Sequence, residues 1–210
     1  MSKVKDLTQG DLTRLLYQQA LPIMGTSFVQ IAYSFTDMAW LGRLSSEALA
    51  AVGVVSVFIW IANSVAWLNK TGCEVTISHC VGSGELREAG RYASHNVSMS
   101  LLVGTLLTIG YALCAEPMVD LYSLEEGVRH DALSYMYVSL IGFPEIFLTA
   151  TLTGLYNAIG HSKVPFRIMC IGLGCNMLLD PLFIHLIGWG VQGAALATVI
   201  SQTVVLFLFV

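Results

Sequence analysis

Charged side chains are scarce in this chain: 11% of residues are Asp, Glu, Lys or Arg, against roughly 25% in an ordinary soluble domain. With 55% hydrophobic residues and a mean hydropathy of +0.70, too little polar surface exists to coat a water-soluble globule of 210 residues. Positive charge is the scarcer sign, ten Lys and Arg against 14 Asp and Glu, and no basic stripe is interleaved with aromatics. That balance excludes a nucleic-acid partner. Cysteine chemistry is missing too. Cys73, Cys80, Cys114, Cys170 and Cys175 are odd in number, with no CxxC pair and no His-Cys cluster at zinc-ligand spacing, so they read as small buried apolar residues. Near the polar start (Lys3, Lys5, Asp6, Asp11) there is no succession of n-region, short h-region and small-residue cleavage site. The first hydrophobic segment is therefore expected to stay in the mature protein.

What the chain has instead is long apolar runs, at 15–41, 48–80, 92–115, 132–159, 164–189 and 191–210. Each is about 20 residues or longer, the length a helix needs to cross a bilayer. Strands of a membrane barrel would alternate over about ten residues, and these runs do not. The fold class expected is an all-α integral membrane protein, a bundle of six transmembrane helices. The polar breaks at 42–47, 82–91, 116–131 and 160–163 are too short for a soluble domain or a flexible linker. Lys3, Lys5, Arg14, Arg87, Arg91, Lys163 and Arg167 flank one face, against Arg43 and Arg129 on the other. By the positive-inside rule the amino terminus is cytoplasmic and the acidic break with Glu116, Asp120, Glu125, Glu126 and Asp131 faces outward.

Two aspartates, Asp37 and Asp180, lie within these apolar runs, and Asn176 precedes Asp180 by one helical turn. An ionised carboxylate at membrane depth costs roughly 2.5–3.5 kcal/mol on insertion scales, so such residues mark ion or proton paths by default. The topology places Asp37, Asp180, Tyr135 and Thr198 in the same half of the bilayer, on four different spans. Polar groups from several helices at one depth can form a single site. Asn176 and Asp180 share a helix face, and Pro181 donates no hydrogen bond to the Met177 carbonyl. Such a group of oxygens can hold Na⁺, or two carboxyls can share one proton. The alternative is that Asn176 and Asp180 only hydrogen-bond neighbouring helices, at about 0.6 kcal/mol per contact.

Pro22 and Pro144 interrupt the first and fourth spans and release the carbonyls of Gln18 and Leu140, so both spans are expected to bend there. Pro22 shares a helix with Asp37 and is the hinge candidate. Lys70 and Glu74, four apart, read as a neutralising pair or as interfacial snorkelling groups. Glu145, mid-span after Pro144, can face a cavity and attract cations, or sit protonated in packing. The histidines show no shared spacing. Asn69 and Asn96 head Asn-x-Ser/Thr triplets, but both fall in or beside spans and read as chance matches.

Three stretches resemble the multidrug and toxic compound extrusion (MATE) transporters of bacterial type. The first runs from Ala20-Leu21-Pro22-Ile23 through Asp37 and Leu41-Gly42 to Ala48-Leu49-Ala50-Ala51-Val52-Gly53, and the second is Gly154-Leu155-Tyr156-Asn157-Ala158-Ile159-Gly160-His161-Ser162-Lys163-Val164-Pro165. The third joins Asn176-Met177-Leu178-Leu179-Asp180-Pro181 to Gly193-Ala194-Ala195-Leu196-Ala197-Thr198, and Gly72-Cys73-Glu74-Val75 with Gly82 fits the second-span pattern. The resemblance implies twelve helices in two lobes around a cavity, exporting cationic, amphipathic compounds across the inner membrane in antiport with H⁺ or Na⁺ and without other cofactors. The chain, 1–210, matches the amino-terminal lobe of such a protein. Carried over by position, the ion site is Asp37, Tyr135, Asn176, Asp180 and Thr198, with Na⁺ at Asp37, Asn176 and Asp180 if sodium is the ion. Pro22 is the hinge, and Gln30, Thr153 and Met169, with Asn157 and Glu145, are cavity-lining candidates. Lys70 and Glu145 depart from the charges expected of the family.

Two other readings need different residues. A lipid-linked precursor flippase of related architecture needs Arg and Lys in its cavity for a pyrophosphate, whereas these spans contain only Lys70. An intramembrane aspartyl protease needs Gly-x-Gly-Asp where Leu178-Leu179-Asp180 stands. The sequence stops at Val210 inside its last apolar run, so a longer reading frame with a second lobe is expected, in preference to a half-transporter that must find a partner chain.

Overall fold

A computed structural model describes residues 11–209. The charges of Lys3 and Lys5 and the end of the last run at Val210 lie outside the described residues. Seven α-helices follow in order: α1 (Leu12–Leu44), α2 (Ser46–Gly82), α3 (Leu86–Asp120), α4 (Glu126–Ile141), α5 (Phe143–Ala158), α6 (Lys163–Pro181) and, after a π-helical turn at Leu182–Leu186, α7 (Gly190–Phe209). Local chemistry sets the boundaries. Asp11 caps α1 by accepting from the amides of Thr13 and Arg14 at 3.0 and 3.4 Å. Ser45 ends α1 and caps α2 by accepting from the Ala48 amide at 3.0 Å, so one residue turns the chain back. Gly160 ends the α5 turn at φ +80°, a left-handed conformation open to glycine, while the next amide, His161, donates back to the Tyr156 carbonyl.

Helices α4 and α5 form one bent span, kinked by 49°. The bend lies at Gly142, and Pro144 sits in the first turn of α5, where a missing N–H costs nothing. Pro144 thus starts a helix where the sequence led us to expect a proline interrupting one. Helix α1 runs through Pro22 without a break, and the Pro22 carbonyl accepts from Thr26 Oγ1 at 3.0 Å. After Pro181 the ladder shifts register, with Ile187 N–H donating to Leu182 O at 2.9 Å, and the left-handed Gly188 turns the chain into α7.

Four helical segments are long and apolar enough to cross a membrane, Ser46–Gly82, Leu86–Asp120, Lys163–Leu186 and Gly190–Phe209, and the bent α4–α5 pair makes a fifth. Six helical rods match the six expected runs, but α1 does not qualify by composition, so six is an approximate count of spans. In α1, Phe28, Ile31 and Phe35 are exposed, whereas Thr26 and Asp37 are buried together with Val29, Tyr33 and Leu41. Trp60, Leu113, Leu186 and Phe207 are likewise more than three-quarters exposed. An apolar outer surface of this extent suits lipid and not water, and the chain is a multi-pass membrane protein.

Small residues bring α2 and α7 into one buried cluster. Ala48, Ala51 and Val52 of α2 and Ala194 and Ala195 of α7 are buried in one cluster with Leu41, Tyr135, Met136 and Ile184. A methyl on Gly193 would stand 2.8 Å from the carbonyl carbon and oxygen of Phe183, so only glycine lets α7 approach the π turn.

Candidate functional site

The end of α1, the last turns of α6 and the third turn of α7 converge on a buried polar cluster within that packing. Asn176 Nδ2 lies 3.3 Å from Asp37 Oδ1, 3.1 Å from Asp180 Oδ1 and 3.2 Å from Thr198 Oγ1. The Thr198 hydroxyl donates to Asp37 Oδ2 at 3.1 Å. Asn176 and Asp180 are fully buried and Asp37 is 7% exposed. Helix periodicity puts Asn176 and Asp180 on one face of α6, and the buried side of α1 delivers Asp37 to it.

Donors run short here. An amide nitrogen carries two hydrogens and a threonine hydroxyl one, whereas each carboxylate offers acceptor oxygens only. Asn176 Nδ2 has three acceptors within reach, and Asn176 Oδ1 and Asp180 Oδ2 are buried without a hydrogen-bond partner. Buried acceptors without partners cost about 1–3 kcal/mol each, more when charged. A proton or a small hard cation is the species that relieves such an excess. Asp37, Asn176 and Asp180 fit Na⁺ through their oxygens, and the same oxygens fit a shared proton. Among the described residues no group of three or more His, Cys, Asp or Glu side chains comes together.

Tyr135 of α4 is buried in electrostatic range of both carboxylates. Tyr33, one turn before Asp37, occupies a similar position, and its buried hydroxyl has no partner. That hydroxyl lies against the bare Cα of Gly172 on α6, where any side chain would collide with it. Sequence reasoning passed over Tyr33, although its spacing of four from Asp37 was a usable signal.

The cavity candidates scatter. Thr153 and Met169 are 2% and 3% exposed and face packed interior: Thr153 Oγ1 donates to its own helix at Thr149 O, 2.8 Å away, and Met169 joins Val29, Tyr33, Ile168, Val205 and Phe209. Neither presents a surface to an open cavity within this lobe, because α5 and α6 bury these faces against neighbouring helices. Gln30 and Asn157 are half-buried. Glu145 is half-buried as well, and both its oxygens lie 3.0 Å from Thr203 Oγ1 of α7. Lys70 and Glu74 form no ion pair among the described residues. The Lys70 backbone carbonyl instead packs against Gly154, where a methyl would stand 2.8 Å from it. Asn69, one of the Asn-x-Thr matches, is spent on Thr151 Oγ1 at 2.8 Å.

Comparison with known proteins places this geometry in context. The chain is 28% identical over 204 residues to "Probable multidrug resistance protein YpnP" of Bacillus subtilis, covering 95% of this chain and 45% of that protein. It is 27% identical over 199 residues to "Probable multidrug resistance protein NorM" of Thermotoga maritima, covering 92% and 43%. A solved outward-facing structure of a multidrug resistance MATE family transporter superposes with a TM-score of 0.91 at 29% identity, over 100% of this chain and 46% of that one. The chain thus spans a little under half the length of these relatives. The MatE family pattern matches residues 22–182, which include Pro22, Asp37, Asn176 and Asp180, and the chain belongs to that family.

Proposed function

We propose that this chain acts as one lobe of an ion-coupled exporter of small molecules, with Asp37, Asn176, Asp180 and Thr198 binding the coupling cation and Tyr135 closing the site. The observation that carries the reading is the donor-poor cluster buried between α1, α6 and α7, which has oxygen ligands for a cation and no basic residue among its hydrogen-bonding members. Relatives named as multidrug resistance proteins support efflux of varied small molecules, and the cargo proposed here is cationic and amphipathic. A relative named "FAD transporter" in Shewanella oneidensis, 28% identical over 210 residues, widens the range of cargo to consider.

The mechanism is alternating access. A second lobe completes the cavity, and H⁺ or Na⁺ entering from the outer face binds between α1 and α6. Because Asp37 is part of α1, occupancy of the site biases the position of that helix, with Pro22 as its weak point. One charge moving down 100 mV supplies roughly 2.3 kcal/mol, about a fiftyfold concentration ratio for the cargo. The protein resides in the inner membrane with its amino terminus in the cytoplasm.

The test is cation binding to the purified chain in nanodiscs, followed by tryptophan fluorescence during Na⁺ titration at fixed pH and during pH titration without Na⁺. Whichever ion is coupled should change the signal in the wild type, and Asp37→Asn and Asp180→Asn should each abolish the change. A response that survives in both variants removes the site assignment.

A further inference from the structure

At the opposite end of the bundle from the aspartates, a second polar recess lies between α1 and the α5–α6 turn. It is a cavity of about 140 Å³ lined by Gln18, Gln19, Gly160, His161, Ser162, Lys163 and Val164. Gln19 Nε2 donates to the Gly160 carbonyl at 2.6 Å, which fixes the orientation of the amide and turns Oε1 away as an acceptor. Gln19 Oε1 and Ser162 Oγ are both buried without hydrogen-bond partners, and Ser162 is 1% exposed. A hydroxyl buried to that degree without a partner is costly, and native structures rarely tolerate one unless something else satisfies it.

The recess also collects positive potential. It lies at the amino-terminal end of α6, a helix of 19 residues whose first turn receives no side-chain cap, so the positive end of the helix dipole points into the same region, although the Val164 and Phe166 amides already donate to His161 O and Ser162 O. Lys163 lines the recess, and Arg167, four residues on and on the same face, is exposed beside it. Among the described residues no acidic side chain lines the recess. On the α1 side, Leu16, Tyr17 and Leu21 flank Gln18 and Gln19 and are all more than 60% exposed, an apolar strip that a hydrocarbon chain can follow.

We infer that this recess is a binding site for the phosphodiester head group of an anionic phospholipid. The Ser162 hydroxyl, at the positive end of α6, donates to the phosphate, Lys163 neutralises it, and Gln19 Oε1 accepts from a head-group hydroxyl. The acyl chains lie along Leu16, Tyr17 and Leu21. The apolar strip favours a lipid over free phosphate, which has no use for it. Because Gln19 ties α1 to the α5–α6 turn, an occupied site pins the end of α1 remote from Asp37.

Native mass spectrometry and thermal unfolding of the purified chain in detergent test the inference, with phosphatidylglycerol, phosphatidylcholine and inorganic phosphate as probes. Phosphatidylglycerol should bind the wild type and raise its Tm, and both Ser162→Ala and Lys163→Gln should weaken that binding about tenfold, the loss expected for one hydrogen bond to a charged group. Phosphatidylcholine, which carries no net charge and no head-group donor, should show no such dependence. Ser162→Ala removes a hydroxyl that has no partner within the protein, so without lipid its Tm should equal or exceed that of the wild type. Lys163 is exposed, so Lys163→Gln keeps the test open if the serine variant misfolds. Phosphatidylglycerol affinities within about twofold of wild type in the folded variants would overturn the site. Displacement of the lipid by inorganic phosphate at matching concentration would overturn the lipid as its ligand.

Discussion

Replacing Asn176 with leucine, a side chain of similar volume, removes the donor that three helices share. In the structure that amide nitrogen reaches Asp37, Asp180 and Thr198 at 3.1–3.3 Å, and its two hydrogens satisfy at most two of these acceptors at once. Asp180 Oδ1 then has no donor, Asp37 keeps only the Thr198 hydroxyl, and both carboxyls remain buried. Two orphaned acceptors at about 1–3 kcal/mol each give a loss of about 2–6 kcal/mol, a large part of the roughly 5–15 kcal/mol that folded domains possess. For a chain of this length 1 kcal/mol shifts Tm by about 2–4 °C, so Asn176→Leu should lower Tm by at least about 4 °C. The cost should depend on the carboxylates. In an Asp37→Asn, Asp180→Asn background the neighbouring groups carry their own donors, and the same leucine should cost at least about 1 kcal/mol less, which a double-mutant cycle by thermal unfolding in detergent resolves. Equal costs in the two backgrounds would refute the view that Asn176 exists to serve the carboxylates.

Gly154→Ala should separate α2 from α5, because its methyl meets the Lys70 carbonyl at 2.8 Å and a backbone oxygen cannot turn aside. A loss of about 1–3 kcal/mol is expected, read as a lower Tm. Glu145→Gln should leave stability nearly unchanged, since the amide oxygen still accepts from Thr203 and that hydroxyl also reaches Val199 O at 2.9 Å. If Glu145 attracts cationic cargo, the same variant should raise the KM for a cationic dye in reconstituted transport and spare a neutral one. Asn69→Leu removes two interhelical bonds, to Thr151 Oγ1 and at 3.4 Å to Asn96 O, and the Thr151 hydroxyl also donates to Phe147 O, so its cost should stay at about 0.6 kcal/mol per bond. A loss several times larger would show that these bonds do more than join α2 to α3 and α5.

Hydropathy alone located the helical rods, because a bilayer demands about 20 apolar residues per crossing and tolerates few polar ones. The helix period alone put Asn176 and Asp180 on one face, and rarity of charge marked Asp37 as their companion. Other features depend on which surfaces touch. Thr198 closes the cluster only because Gly193 lets α7 approach the π turn, and Tyr33 stands beside it only because Gly172 leaves room for its hydroxyl. The bend of the fourth span lies at Gly142 and not within a helix at Pro144, since a proline in a first turn breaks no hydrogen bond. Ser162 reads in the sequence as an ordinary turn residue, and its buried, unpartnered hydroxyl emerges only when α1 folds against the α5–α6 turn. Spacing along one helix and the length of apolar runs are local quantities that a sequence states directly. The approach of two helices, and therefore which buried polar atoms find a partner, is decided by side-chain volumes on both at once, and only the tertiary structure brings those together.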